Sequence, residues 1–403
     1  MKRYYVESII QEISNGIENL INKGSITHET KIVLYDLDEL SFGMRTVLAN
    51  FGYPTESYIT DDKLRLLQVK RVKKALTSRY INSTRDLIGV HSTEDRLVPY
   101  DSDVVILIAA KNYEEIKSKL EALNYKEGES FYCVYDWRKD SYLEAVRGKR
   151  IVTLQEMQTL QKKMLAFVDD FCRRKNIRYW VCGGTLLGTI RHKGFIPWDD
   201  DADVFMPWKD YLKFIYEFKD SEAYELIGPE RSKREDYFFH YSKLVDKETI
   251  TRAEWWGYVR PVYPAGLDIF PLIGMPDNAR ERKLFFAEYK ELNSKIIEEF
   301  YSLNGDMGVY TKWYAEQKAL WGKYDFDVQH YVGVIGTKYG ERDCTTRNVY
   351  QETIRMPFED IEVNVPIGYK EYLDNLYGKG WMELPDESDR DAHNMTTYWL
   401  NKE

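Results

Sequence analysis

The sequence predicts an α/β protein in two parts. Short apolar, β-rich runs alternate with helical stretches over residues 1–145, the pattern of a parallel sheet covered by helices. From Thr153 onward, a long amphipathic helix, a strand, a glycine pair, a short helix and an acidic strand follow one another. That order marks a second part of the chain, over residues 151–403. A chain of 403 residues that is 43% hydrophobic has enough apolar material for both.

The elements follow in order. Ile9, Ile10, Ile13, Ile17, Leu20 and Ile21 lie on one stripe, so residues 1–30 read as a helix. Lys31 to Tyr35 (KIVLY) is a strand, and SFGMRTVLANFG after it is helix-like. LIGVH and the run VVILIAA from Val104 are further strands. A helix is expected from about Tyr113 to Leu123, with a last strand in FYCVY from Phe131. This first domain is predicted to be Rossmann-like but degenerate. A dinucleotide-binding turn needs G-x-G-x-x-G after its strand, and Asp36 and Asp38 stand where the first two glycines belong. The same run is similar to the Asp-x-Asp motif of haloacid-dehalogenase-like phosphatases, yet Leu40 replaces the expected threonine. Neither NAD nor a phosphatase site is expected there.

Ser141 to Arg150 reads as a polar connection. Thr153 and Glu156 have the form of a capping box. Leu154, Met157, Leu160, Met164, Val168 and Phe171 then recur at helical spacing.

Composition excludes several function classes. With 57 Lys plus Arg against 66 Asp plus Glu, the net charge is −9, which argues against nucleic-acid binding through a broad basic face. Four cysteines, none in a C-x-x-C pair, predict buried thiols rather than disulfides or zinc. The longest clean apolar run, Val104 to Ala110, is too short to span a bilayer. Glu7, Glu12 and Glu18 fall where a signal peptide needs an uncharged stretch. A cytoplasmic enzyme is expected. Lys63 to Arg79 is locally basic, which fits either a solvated helix face or peripheral contact with the inner face of a membrane. Aromatic residues make up 15% of the chain, which fits either aromatic packing or an aromatic-lined site.

The chemistry concentrates between Gly183 and Pro207. Gly183 and Gly184 allow a sharp turn and a close approach to an anion. TLLGTIR, starting at Thr185, is a short helix whose N-terminus faces the same place. Arg191, His192 and Lys193 add donors for a phosphate, and His192 reads equally well as a structural histidine. Asp199, Asp200, Asp201 and Asp203 follow, and strand alternation puts Asp201 and Asp203 on one face. Asp268, in the apolar strand GLDIFPL, offers a third carboxylate. Such oxygen ligands suit Mg²⁺ or Mn²⁺ held against phosphate oxygens. Trp255, Trp256, Tyr258 and Tyr263 cluster before Asp268, as core packing, a sugar-stacking surface or a cage for a quaternary ammonium head group.

YWVCGGTLLGTIRHKGFIPWDDDADVFMPWKDY, YSKLVDKETI, GLDIFPLIGMP and FEDIEVNVPIGYKEYLDNLYGKGWMELPDESDR closely resemble the LicD family, and the chain is similar to fukutin-related proteins of the same superfamily. The resemblance covers about residues 151–395. It implies a nucleotidyltransferase-type fold, a small mixed sheet with helices, with donor phosphates on Gly183, Gly184 and Thr185 and metal on Asp201, Asp203 and Asp268. One departure is that only His393 follows Arg390 where the family often has a histidine pair. The resemblance implies transfer of phosphocholine, or of a phospho-alditol or phosphoglycerol, from a CDP-activated donor. The acceptor would be a hydroxyl of a cell-surface glycan or its lipid-linked precursor. Asp200 is the candidate base. A nucleotidyltransferase using a nucleoside triphosphate, and a non-catalytic scaffold for glycan assembly, remain open alternatives.

Overall fold

A computed structural model describes residues 5–35, 39–60, 90–97, 100–110, 112–135, 146–231, 237, 239–253, 259–386, 390 and 395–401. The first strand, β1 (Tyr5–Ser8), runs straight into α1 (Ile9–Asn22). The Ser8 hydroxyl accepts from the Gln11 N–H and caps the helix, so the helix expected over 1–30 is shorter and has a strand before it. Its predicted stripe, Ile9, Ile10, Ile13, Ile17 and Leu20, is buried.

Then come β2 (Lys31–Tyr35), α2 (Glu39–Asn50), β3 (Thr55–Ile59), β4 (Val90–His91), α3 (Thr93–Leu97), β5 (Val104–Ile108), α4 (Tyr113–Ala122) and β6 (Phe131–Cys133). The five strands from β2 to β6 form an all-parallel sheet in the order β4-β3-β2-β5-β6. Alternate residues bury on opposite faces, as they must in a sheet with helices on both sides. Ile32, Leu34, Val105 and Leu107 pack with α1 and α2. Val33, Ile106 and Ile108 pack with α4. The first part is thus a parallel sheet with helices packed on both faces. The turn that would distinguish a Rossmann-like unit carries Asp36 and Asp38, and these lie outside the described residues, as does the basic stretch from Lys63 to Arg79.

α5 (Leu154–Lys175) starts with the capping box that the sequence predicts, with Thr153 and Glu156 satisfying each other's backbone N–H. β7 (Trp180–Val181), α6 (Gly183–Arg191), β8 (Asp203–Pro207), α7 (Trp208–Glu217), β9 (Tyr224–Ile227), β10 (Ser242–Asp246), β11 (Thr249–Ala253), β12 (Val259–Tyr263) and β13 (Gly266–Met275) follow. Next are α8 (Ala279–Ser302), α9 (Gly308–Lys312), α10 (Tyr314–Trp321), β14 (Tyr331–Gly333), β15 (Thr345–Thr346), β16 (Thr353–Phe358), β17 (Ile361–Pro366), α11 (Tyr369–Tyr377) and β18 (Met395–Trp399).

A seven-stranded mixed sheet organises this part. β13 is its spine, parallel to β8 and antiparallel to β10 and β14. α5, α6, α7 and α11 bury their apolar faces in the core around it.

The expected division near residue 150 is a proposal, and two features of the packing cross it. β1 pairs with β12, so Tyr5–Ser8 belongs to a four-stranded sheet ordered β1-β12-β11-β18. Ile296, Phe300, Met307, Val309 and Tyr310 pack into the core of the first part.

Candidate functional site

The acidic residues gather near the start of β13 in two groups, the register pair Asp203 and Asp268 and the trio Asp199, Asp200 and Asp201; among the described residues the predicted ligand set Asp201, Asp203 and Asp268 is not itself drawn within 4.8 Å. β8 and β13 are parallel, and Asp203 stands in register with Asp268. Neighbouring strands lie about 4.8 Å apart, so the two side chains leave the sheet side by side on one face. Asp268 N–H donates to Ala202 O at 2.9 Å, which extends the pairing to the residues before β8. Asp199, Asp200 and Asp201 each present a carboxylate oxygen, and the three oxygens fall within 4.8 Å of one another.

The turn before α6 is built against this cluster. Gly183 has φ +52°, a left-handed conformation that glycine adopts without strain. A methyl group there would come within 3.2 Å of Asp203 Oδ2, and one on Gly184 within 2.7 Å of Asp199 Oδ2. The glycine pair therefore admits the carboxylates themselves. The N-terminal end of α6 carries partial positive charge, which favours carboxylates at this position. Thr185 is buried, and its hydroxyl accepts from Asp203 N–H at 2.8 Å. Cys182 N–H donates to Asp203 O at 3.1 Å. These two bonds clamp α6 to the start of β8.

Electrostatic crowding follows. Burial first, then the charges of Asp201, Asp268 and Asp199, hold the Asp203 carboxyl well above the usual carboxylate range, and Lys243 opposes them. Lys243 lies across from Asp268 in the antiparallel register of β10 and β13. Its ammonium forms a buried ion pair with Asp268 Oδ1. Tyr263, Tyr241 and Phe239 present ring faces to the same ammonium, with centroids at 5.0, 5.2 and 5.4 Å. Burial alone would lower the pKa of Lys243, but Asp268, Tyr263 and Asp201 more than reverse this, so the lysine is held charged. The quoted run YSKLVD contains Lys243, yet sequence reasoning gave it no role. No local signal marks it, because its place opposite Asp268 depends on the register of β10 against β13.

A second polar group supports the glycine turn from behind. Gly183 N–H donates to Tyr372 Oη at 3.3 Å. Nearby, the Asp343 carboxylate accepts from Thr337 Oγ1, and Tyr372 helps to lower its pKa. Asp343 is buried, and burial pushes its pKa up to about 6, against the lowering effects of Thr337, Arg342 and Tyr372. Nothing local in the sequence links residues so far apart.

Other predicted residues fall elsewhere. Arg191, His192 and Lys193 were expected beside the glycine turn, but they sit at the opposite end of α6, about 12 Å away for a nine-residue helix. Arg191 donates to the Trp381 and Glu383 carbonyls and, through Nε, to His192 Nε2 at 2.9 Å. Burial and then Arg191 lower the His192 pKa, and its Nε2 accepts from Arg191 Nε. Lys193 Nζ donates to the Ile190 carbonyl. Trp255, Trp256, Tyr258 and His393 lie outside the described residues. Cys172 and Cys182 are buried free thiols, whereas Cys133 and Cys344 are only partly buried.

Residues 176–298 match the family described as LicD/FKTN/FKRP, nucleotidyltransferase domain. The chain carries a LicD-family domain. The LicD match includes the glycine turn, the acidic run, Lys243 and Asp268, and stops before Asp343 and Tyr372. The chain is also 29% identical over 267 residues to the lipopolysaccharide cholinephosphotransferase LicD of Haemophilus influenzae, covering 62% of this chain and 98% of that protein. It is 23% identical over 222 residues to the ribitol 5-phosphate transferase FKRP of Mus musculus, covering 55% of this chain and 31% of that protein. The FKRP of Homo sapiens matches at 23% over 221 residues, again 31% of its length.

Proposed function

We propose that this LicD-type chain is a phosphotransferase. It moves a phosphorylated head group, phosphocholine or a phospho-alditol or phosphoglycerol, from a CDP-activated donor to a glycan hydroxyl. The acceptor is a cell-surface glycan or its lipid-linked precursor. One observation carries the reading: Asp203 and Asp268 are register partners on parallel strands, beside the oxygen cluster of Asp199, Asp200 and Asp201.

The donor set fits Mg²⁺ or Mn²⁺. All candidate ligands are hard carboxylate oxygens, and the crowding that opposes ionisation of Asp203 is relieved by a divalent cation. Asp201, Asp203 and Asp268 would hold the ion. When bound, it would offset the negative charge of the phosphates.

The protein's own groups do the rest. With Gly183 N–H held by Tyr372, the backbone at Gly184 and Thr185 is the part of the α6 N-terminus that would meet the donor pyrophosphate. Asp200 takes the proton from the acceptor hydroxyl as the new oxygen–phosphorus bond forms. The bond from that phosphorus to the CMP oxygen breaks, and CMP leaves. Positioning the two substrates supplies much of the rate. Action at the inner face of a membrane agrees with a lipid-linked acceptor. Among the described residues, no helix is long and apolar enough to cross a bilayer.

The test is ligand-dependent melting in Mg²⁺ with CDP-choline, CDP-ribitol, CDP-glycerol, CTP and ATP. One CDP-alcohol is expected to raise the midpoint, by about 3 kcal/mol of linkage at 100 times its Kd, and Asp203→Ala to abolish the rise. A rise with a triphosphate alone would replace this reading with nucleotidyl transfer. No rise with any of them would leave the scaffold.

A further inference from the structure

Lysine is almost never fully buried without a partner. Yet the Lys243 side chain is 7% exposed, in a strand whose five residues are all buried. Its ammonium is fixed by the ion pair to Asp268 Oδ1 and by the faces of Phe239, Tyr241 and Tyr263. Asp268 is therefore not a free ligand. One of its oxygens accepts from the ammonium, which leaves the other as its less encumbered ligand atom. Around it stand four more carboxylates, Asp199, Asp200, Asp201 and Asp203. Five such groups carry enough charge and oxygen for two divalent ions, as in paired-metal phosphoryl-transfer sites.

We infer that Lys243 is a positioning residue that holds Asp268 and stands as a resident cation, so that the acidic centre takes one divalent ion instead of two. The inference rests on the proposed transferase reading only in how the ion is used. The lysine plays the part that outer-shell partners play at other metal sites, orienting a ligand carboxylate and setting the charge the ion meets. Removing its charge frees both oxygens of Asp268 and adds one uncompensated negative charge.

The experiment counts Mn²⁺ on the full chain without donor, by electron paramagnetic resonance of free Mn²⁺ during titration. The wild type and Lys243→Arg are expected to bind one ion. Lys243→Met and Lys243→Gln are expected to bind two, a gain that mere structural damage does not produce. Circular dichroism reports whether each variant folds. Two ions on the wild type, or one ion with unchanged affinity on both neutral variants, overturns the inference and leaves the transferase reading intact. No Mn²⁺ on any variant overturns the metal centre itself and this inference with it. Should both neutral variants fail to fold, the count on the wild type and on Lys243→Arg decides, one ion upholding the inference and two overturning it.

Discussion

Gly184 shows how closely the candidate site is fitted at the scale of one residue. A methyl group there would meet Asp199 Oδ2 at 2.7 Å, shorter than any ordinary carbon–oxygen contact. Gly184 has no positive φ and lies in the first turn of α6, where alanine is the better helix former by about 1 kcal/mol. Gly184→Ala is therefore expected to leave the melting midpoint nearly unchanged while displacing Asp199. A displacement of about 1 Å in a transfer site lowers turnover on the order of 100-fold. Steady-state assay beside thermal melting separates the two effects, and unchanged turnover would contradict the fit. Asp201, Asp203, Asp268 and the glycine pair were legible because each sits in a short pattern of its own: alternation in a strand, or glycines between strand and helix. Lys243 was not. Its meaning comes from the register of β10 against β13, which no local pattern displays.

Between elements, Tyr372 ties the glycine turn of α6 to α11, close to the buried Asp343. Asp343 has a folded pKa of about 6, above the ordinary aspartate value, because burial disfavours its charge. A raised folded pKa makes the stabilising contribution complete below about pH 4 and lost as pH rises through about 6. Ionising this buried group at neutral pH thus costs the fold up to about 3 kcal/mol. Asp343→Asn does not ionise and keeps one acceptor oxygen. Urea unfolding of both proteins at pH 4, 5, 6 and 7 is expected to show the wild type losing stability relative to the variant across that window. A constant difference would mean that Asp343 does not titrate there. The elements themselves were partly legible. The capping box of α5 is local chemistry, and it is present in the structure. The strand before α1 was absorbed into a predicted helix, since four residues ahead of a strong isoleucine stripe carry no signal of their own. Arg191, His192 and Lys193 were placed correctly on the helix end but wrongly in space, because closeness in sequence along a helix is not closeness at its N-terminus.

At the scale of the molecule, α8 ties the two parts together. It is a single 24-residue helix. Phe285 and Tyr289 near its start pack with Ile273, Met275 and Trp321, while Ile296 and Phe300 near its end pack with Ile10, Met44 and Val47. β1 adds a second tie through its pairing with β12. Both joins connect residues more than two hundred positions apart, so alternation and helical periodicity pointed to two separate units. A rigid helix planted in two cores makes their unfolding mutually dependent, since neither core stays filled when the other opens. Phe300 is fully buried, and Phe300→Ala is expected to remove about 3–5 kcal/mol. Because the cores share α8, calorimetry is expected to show one transition moved to lower temperature as a whole. Two transitions, with only the one belonging to the first part displaced, would show that α8 does not couple them and that the division near residue 150 is also a boundary in stability.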